Sequence, residues 1–558
     1  MVYYGLIIIK WVGKILKTLK IFISIVIAVS ILFTSLMMFT AGEASLTENY
    51  SCTVSYDESS GFFFVSSLYE TDAYISAVLY KNGIISDISL YNKQLNTNKS
   101  RLNLSNITID DADTLKIFVW DKNLNPIAKP YKMILSALNI ISVKNGYLTD
   151  KNNTQITLKG VNFGGWLLQE TWMCPVVPYE NRYVDNNKDY SLDWGALDTL
   201  EILTQKLGKT KAENLINKYQ DNYITEADFK LVKNLGFNCI RIPFWYRNFM
   251  SDENGTYFSE NDDENPGFKR LDRAIETAGK YGLYIILDMH GCPGGQSGDH
   301  STGKSGRNYL YKETKYQDIM EDLWVKIADR YKLSKTVVSY DIMNEPMNNC
   351  DYKHGVKQAY RYSAGSESAK AATNAVYDRM IKAIRKADPF HVITVEGIWQ
   401  ISCLPNPKTY GWTNMMYQLH TYDDKSATLE NHCKGLKNAR TNYGVAVFIG
   451  EFNPHSFYSD SVTMFNNYEI NYTLWNYKTA NLYGTPTKWG LYTKTYSYSE
   501  QVNLLTKSGL TWEDVNTGTL NNASAEKVEK FYTELWSPQY LATSNFTQNS
   551  TLYSYMKK

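Results

Sequence analysis

Seven cysteines are spread over 558 residues, and no two have the C-x-x-C spacing of a metal-ligand pair. Their odd number leaves at least one unpaired, so neither a disulfide framework nor a zinc site is read from them. Cys239, inside an apolar strand pattern, reads as a small buried hydrophobe. A charge of one sign is also missing. The formal net charge is +1, which gives no reason to expect a nucleic-acid partner. There is no H-E-x-x-H, and the histidines have no helical ligand spacing, which argues against a catalytic zinc. No G-x-S-x-G elbow stands at a strand–helix turn to expose a serine nucleophile. The first strand of the α/β region is followed by Asn162-Phe163-Gly164-Gly165-Trp166, which is no nucleotide fingerprint. No metal and no cofactor is expected.

Aromatic residues are plentiful, at 14% with 13 Trp and 44 Tyr. Part of that serves cores, and the excess suits surfaces that stack on the flat apolar faces of sugar rings. The chain opens with Lys10, Lys14, Lys17 and Lys20 before an uncharged run from Ile21 to Phe39, and Gly42-Glu43-Ala44 offers small residues for cleavage. Residues 1–44 therefore read as a signal peptide or a retained N-terminal membrane anchor. Either way the bulk of the chain is exported, to an extracellular or cell-surface location.

Residues 46–140 read as a small β-sandwich-like domain. Short strand-like runs (Gly61 to Val65, Ala73 to Tyr80, Ile84 to Leu90, Leu115 to Trp120) follow one another without a long amphipathic helix, and Lys81-Asn82-Gly83 signals a hairpin. Such a domain would serve as a spacer, bind carbohydrate, or pack against its neighbour. From 141 to 540 apolar runs alternate with helical patterns. Candidate strands are Thr157–Val161, Asn238–Ile242, Tyr284–Asp288, Val337–Ile342, Val392–Val395, Met415–Leu419, Val445–Ile449 and Tyr472–Leu474. Eight such strand–helix units fit a (β/α)8 barrel, and a doubly wound sheet is the alternative. Ser524–Trp536 reads as the last helix, and residues 541–558 as a tail that covers the barrel or frays.

A parallel barrel collects the residues at its strand ends over one pocket. Pro346 cannot donate to a ladder, so Val337-Val338-Ser339-Tyr340-Asp341-Ile342-Met343 stops at Asn344-Glu345-Pro346. Arg241, His290, His420, Tyr422, Glu451 and Trp475 stand at the ends of other candidate strands. Glu345 and Glu451 are read as the only acidic residues that directly follow candidate strands in strand-ending motifs. Two such carboxyl groups about 5 Å apart can break a glycosidic bond with retention, one as acid/base and the other as nucleophile. Arg241 and Tyr422 can keep Glu451 ionised, Asn344 can bond a sugar 2-hydroxyl, and Trp475 can floor the sugar. Asp288 and Asp341, inside strands, read as structural hydrogen-bond partners.

Ile240-Arg241-Ile242-Pro243, His290-Gly291, Asn344-Glu345-Pro346, His420-x-Tyr422, Gly450-Glu451-Phe452 and Trp475 resemble, in order, the signature of glycoside hydrolase family 5. The resemblance covers about 156 to 480. It implies a (β/α)8 barrel and a retaining mechanism without metal or cofactor, with Glu345 as acid/base and Glu451 as nucleophile. Lys159-Gly160-Val161-Asn162-Phe163-Gly164-Gly165-Trp166-Leu167, Tyr223-Ile224-Thr225-Glu226-Ala227-Asp228-Phe229 and His290-Gly291-Cys292-Pro293-Gly294-Gly295-Gln296 resemble the fungal-type exo-β-1,3-glucanases. In that group the residue matching Glu170 helps bind the terminal sugar. Ser297-Gly298-Asp299-His300 departs from the group by lacking an aromatic near the sugar entrance, which leaves linkage and exo or endo action open. Trp172, Trp245, Trp399 and Trp412 are candidates for further subsites. The implied partner is a β-glucan oligo- or polysaccharide acted on by a monomer. The alternatives are a β-1,4-glucanase or another β-glycosidase on the same barrel, or a carbohydrate-binding wall protein without turnover.

Overall fold

The computed structural model describes residues 50–558 apart from 105–106, 108, 110–111, 178–181, 186–187, 192–194, 348–364, 399, 483–487, 517–519 and 521–522. The N-terminal leader, Cys350 and Trp399 lie outside the described residues. Among the described residues no helix is long and apolar enough to cross a membrane. The chain divides into two compact units: one holds the residues through Asp57 and Phe62–Leu138, the other Glu58–Gly61 and Asn139–Lys558.

The first unit is all-β. Phe62–Ser67 lies between Cys52–Asp57 and Ser100–Leu102 in one antiparallel sheet. Ile84–Leu95, Thr71–Lys81, Thr114–Trp120 and Tyr131–Ile134 form a second sheet in that order. Asn82 and Gly83, at φ of 52° and 78°, close the hairpin between its two longest strands, as an Asn-Gly pair does in a type I′ turn. Alternate residues Ala73, Ile75, Ala77 and Leu79 are buried. Phe63 of the first sheet meets Tyr131 of the second edge-on at 5.4 Å.

The second unit carries a closed parallel barrel of eight strands: β1 (Lys159–Asn162), β2 (Cys239–Trp245), β3 (Tyr284–Gly291), β4 (Val337–Asp341), β5 (Val392–Glu396), β6 (Met415–His420), β7 (Ala446–Glu451) and β8 (Asn471–Leu474). β1 pairs with both β2 and β8, which closes the ring. Every candidate strand is present, so the doubly wound alternative is excluded. Strands buried on both faces need continuous apolar runs, and these supply them: Ile285, Ile286, Leu287, Val337, Val338, Val392, Ile393, Phe448 and Ile449 are all fully buried. Leu148, from a small antiparallel sheet before β1, and Ile141, just ahead of that sheet, pack against Leu158, Cys239, Val338, Val392, Met416 and Ala446 at the strand beginnings. The opposite end stays open for polar side chains.

The helices follow their caps. Helix α1 (Glu226–Asn234) starts at Thr225, whose N–H and hydroxyl both donate to Asp228 Oδ2 at 2.7 and 3.1 Å. Helix α2 (Pro266–Lys280) has proline at its first position, and Asn265 accepts from the Gly267 N–H at 3.0 Å. Helices α3 (Thr314–Tyr331) and α4 (Glu367–Ala387) follow β3 and β4. Two departures from a regular strand–helix alternation stand out. Among the described residues only two short 3-10 turns join β5 to β6. Helix α5 (Ser426–Tyr443) joins β6 to β7 with a thin buried stripe of Leu429, Cys433, Leu436 and Ala439 among Lys, Asn, His and Thr, which is why its pattern is faint in the sequence. Helix α6 (Ser461–Asn467) precedes β8, and α7 (Ala525–Leu535) is capped by Ser524. The end of the chain is structured: Thr547–Gln548 pairs with Tyr492–Thr495, and Ser550–Met556 is helical.

Two irregularities in the ladders occur at the open rim. Between β2 and β3 the register passes from Phe244–Met289 to Trp245–Gly291, so His290 is an extra residue. Between β6 and β7 it passes from Leu419–Ile449 to His420–Glu451, so Gly450 is extra. A bulge re-aims the side chains beside it. Here the bulges sit at His290 and just before Glu451.

Candidate active site

The site is built around Arg241, whose side chain is fully buried. Its Nε donates to Asp341 at 2.8 Å, Nη1 to Asn162 at 3.1 Å and to Glu451 Oε1 at 3.0 Å, and Nη2 to Asn344 Oδ1 at 2.9 Å, with Asp288 at 3.1 Å. A buried guanidinium without such partners would be severely penalised. Asp288 and Asp341, read as structural from the sequence, are the second layer that anchors it. The Asp288 carboxylate also accepts from His290 Nδ1 at 2.7 Å, leaving Nε2 3.3 Å from Asn344 Nδ2. Burial opposes protonation of His290, but Asp288 and Glu451 together outweigh it and the imidazole is raised in pKa. Trp475 stacks on His290, with ring centroids 5.3 Å apart and planes 8° apart. Gly164 lets it lie there, because a Cβ on that residue would stand 2.7 Å from Trp475 Cη2.

Glu451, at the end of β7, accepts from Arg241 and, through Oε2, from the Tyr422 hydroxyl at 2.7 Å. Burial raises its pKa; the Glu345 charge adds to that, while His420, Arg241 and His290 oppose it. Glu345 follows β4 with φ of 40°. Holding a non-glycine residue there costs about 1–3 kcal/mol and persists only where the surroundings enforce it. Its Oε1 lies 2.9 Å from His420 Nδ1. Burial, reinforced by Asp299 and Glu170 and opposed by His290 and Arg241, raises the Glu345 carboxyl to about 7. His420 Nδ1 is also 3.5 Å from Glu451 Oε2. Both carboxyl groups touch one nitrogen, so their nearest oxygens are at most about 6.4 Å apart, the sum of those two distances. Burial lowers His420 to about 3, so the imidazole is neutral.

Glu170 is buried beside this pair. Its Oε2 accepts from Trp172 Nε1 at 3.0 Å and lies 3.2 Å from His300 Nε2, whose Nδ1 is 2.5 Å from Asp299. The loop after β3 thus places a histidine–aspartate pair on Glu170, where the sequence showed only a missing aromatic. Trp172, Tyr422 and Trp489 pack around Met173, Cys174 and Trp475. The other two described subsite candidates are elsewhere. Trp245 is buried against Gly303, and Trp412 donates to Asp378 on α4 at 3.0 Å.

One expectation is corrected. Glu345 and Glu451 are not the only carboxylates at strand ends: Glu396 ends β5, is buried, and sits at the same site. Its Oε2 accepts from the Glu345 backbone N–H at 2.7 Å, and its Oε1 is 3.5 Å from His420 Nδ1. The signal was present in Val392-Ile393-Thr394-Val395-Glu396, an apolar run ending in an acid, but no motif drew attention to it. Glu345, Glu396 and His420 also offer three ligand atoms within 4.8 Å of one another.

A Cellulase model, described as glycosyl hydrolase family 5, matches residues 178–481, more than half of the chain. The chain belongs to glycosyl hydrolase family 5. Similar proteins include a β-xylosidase of Phanerodontia chrysosporium, 25% identical over 383 residues that make up 62% of this chain and 72% of that protein. A glucan 1,3-β-glucosidase of Pichia angusta is 29% identical over 226 residues, 40% of this chain and 48% of that protein. The chain thus spans about half the length of that glucosidase. Among solved structures, the rutinosidase of Aspergillus niger has 17% identity, covers 58% of this chain and 90% of its own, and has a TM-score of 0.44. Family membership makes the chain a glycoside hydrolase acting on O-glycosyl bonds.

Proposed function

We propose that the protein is an exported, monomeric, retaining β-glucan hydrolase that cleaves β-1,3 linkages, with Glu345 as acid/base and Glu451 as nucleophile. The observation that carries this reading is the contact of both carboxyl groups with His420 Nδ1, at 2.9 and 3.5 Å. The shared contact brings the two carboxyl groups to one pocket, near the boundary between the roughly 5–5.5 Å of retaining and the roughly 6.5–9.5 Å of inverting pairs, and the family resemblance supports the retaining choice.

In the first step Glu451 attacks the anomeric carbon as Glu345 gives its proton to the departing oxygen. In the second, Glu345 takes a proton from water, which attacks the same carbon and releases Glu451. Arg241 and Tyr422 each donate to one oxygen of Glu451 and favour its ionised form. Asn344, held by Arg241 and His290, would bond the sugar 2-hydroxyl, Trp475, stacked on His290, would floor the sugar, and Glu170 would bind the terminal sugar. The β-1,3 assignment is supported by relatives named glucan 1,3-β-glucosidases. The β-xylosidase relative supports a second reading, a β-xyloside substrate on the same machinery. The basic leader and apolar run support export.

Wild-type protein is expected to release reducing sugar from laminarin, and Glu451→Gln to lose at least 10³-fold in kcat, the scale of removing a covalent nucleophile. Faster turnover of an aryl β-xyloside or of carboxymethyl cellulose would replace the substrate assignment. Binding of these glycans with no hydrolysis of any would leave a carbohydrate-binding protein.

A further inference from the structure

Glu396 is a strand-end carboxyl that the reaction above does not use, and its contacts are specific. Oε2 accepts two hydrogen bonds, from the Glu345 N–H at 2.7 Å and from Gln418 Nε2 at 3.3 Å. Oε1 faces His420 Nδ1, the nitrogen that also touches Glu345. The main chain of Glu396 is pinned by Tyr377: the Tyr377 hydroxyl donates to Glu396 O at 3.0 Å, and the Glu396 N–H returns to that hydroxyl at 3.1 Å. Tyr377 is on α4 and fully buried, so the anchor reaches the rigid outer ring.

The peptide that Glu396 holds is the one that enters Glu345 in the left-handed region. β4 ends at Asp341, the Ile342 N–H still donates to the Thr394 carbonyl of β5, and the Asn344 N–H turns to the Met289 carbonyl of β3. At Glu345 a β5 side chain, not the β5 backbone, is the acceptor.

We propose that Glu396 is a positioning residue for the acid/base: its carboxyl holds the Glu345 peptide, and with His420 it sets where the Glu345 proton is presented to the leaving oxygen. The proposal rests on the assignment of Glu345 above. Glu396 touches neither substrate nor reacting atom. The Glu345 O–H bond breaks, the proton goes to the glycosidic oxygen as its bond to the anomeric carbon breaks, and the new bond is to Glu451. Glu396 gains and loses nothing in that step. Burial, followed by the charge of Glu345, raises Glu396 above the usual carboxylate range, which disfavours two negative charges side by side at this corner of the site.

The discriminating readout is leaving-group dependence. An aryl β-glucoside with a poor leaving group needs the proton from Glu345 to form the glycosyl-enzyme, whereas a 2,4-dinitrophenyl glucoside does not. Glu396→Ala and Glu396→Asp, the latter shorter by one methylene, are expected to lose at least tenfold in kcat/KM on the poor substrate. On the activated one they should stay within about threefold of wild type, with azide raising their kcat. Glu396→Gln keeps an acceptor oxygen for the N–H and is expected to recover most of the loss seen with Ala. Should the Ala variant fail to fold, the Asp variant carries the comparison. Equal losses on both substrates, with no effect of azide, would overturn the proposal. A wild type that cleaves neither glucoside nor laminarin would overturn the underlying assignment instead.

Discussion

The charge state of Glu345 is set by opposing neighbours. Burial is the largest influence and disfavours the anion, and the nearby Asp299 and Glu170 push the same way. His290 and Arg241 pull against them without winning, so the group titrates at about 7 rather than at the usual 4.5. Two outcomes follow at this scale. The basic limb of kcat/KM on laminarin should fall near pH 7, and it should vanish in Glu345→Gln assayed on a dinitrophenyl glucoside. Stability should also depend on this group. The unfolded carboxyl ionises around pH 4.5 while the folded one holds its proton to about 7. Its contribution is therefore full below 4.5 and is lost as pH rises through 7. The span corresponds to about 3 kcal/mol. Thermal melts of Glu345→Gln and wild type should converge near pH 4 and separate at pH 8, with the Gln variant the more stable. Melts that stay parallel across that range would show that Glu345 ionises without penalty.

At the scale of strands and loops, backbone irregularity is what aims these side chains. The bulge at Gly450 sets His420 opposite Glu451, and the residue has no space for a side chain. A Cβ there would stand 2.5 Å from Gln418 Oε1 and 2.8 Å from His420 Nε2, both on β6. Neither neighbour can swing away, because both are fully enclosed. Gly450→Ala is expected to destabilise the fold by about 1–3 kcal/mol, the usual cost of overpacking. It should also lower kcat at least tenfold, because His420 contacts both carboxyl groups. Denaturant unfolding and laminarin kinetics on the same preparation would separate the two effects. Loss of stability with unchanged kcat would mean that His420 does not hold the pair in register.

At the scale of the whole molecule, the barrel is completed by residues far beyond its last strand. Lys478, buried after β8, donates to the carbonyl oxygens of Tyr223, at 2.7 Å, and Leu541. Its ammonium lies over the rings of Tyr223 and Phe546, 4.5 Å from each centroid. Burial lowers it to about 8, with the charge of Asp228 opposing and that of Lys494 adding to the drop. Thr543 donates to Asp228, the residue that caps α1, and Thr547–Gln548 extends the sheet that begins with Lys478–Asn481. Truncation after Leu541 should therefore lower Tm by several degrees and open the Lys478 environment, read as faster proteolysis near residue 478. An unchanged Tm would mean that the tail is an accessory.

Much of this was legible in the order of residues. Eight apolar runs of strand length, spaced by helical patterns, point to a parallel sheet buried on both faces, and closure of that sheet into a barrel rather than a doubly wound sheet is decided by the pairing of β1 with β8. Pro346 and the glycines near the other strand ends mark where those runs stop, so Arg241, His290, Asn344, Glu345, His420, Tyr422, Glu451 and Trp475 could be named from local pattern and family resemblance. Other features have no local signature. Helix α5 leaves only a faint trace because its buried stripe is narrow. Glu396 was missed because its role is to accept a hydrogen bond from a residue 51 positions away. His300 reads as the absence of an aromatic until folding brings it to Glu170, 130 positions earlier. The chain order by itself determined which side chains reach the rim. Only the closed barrel decided which of them touch, because the distances that set their proton affinities are between strands.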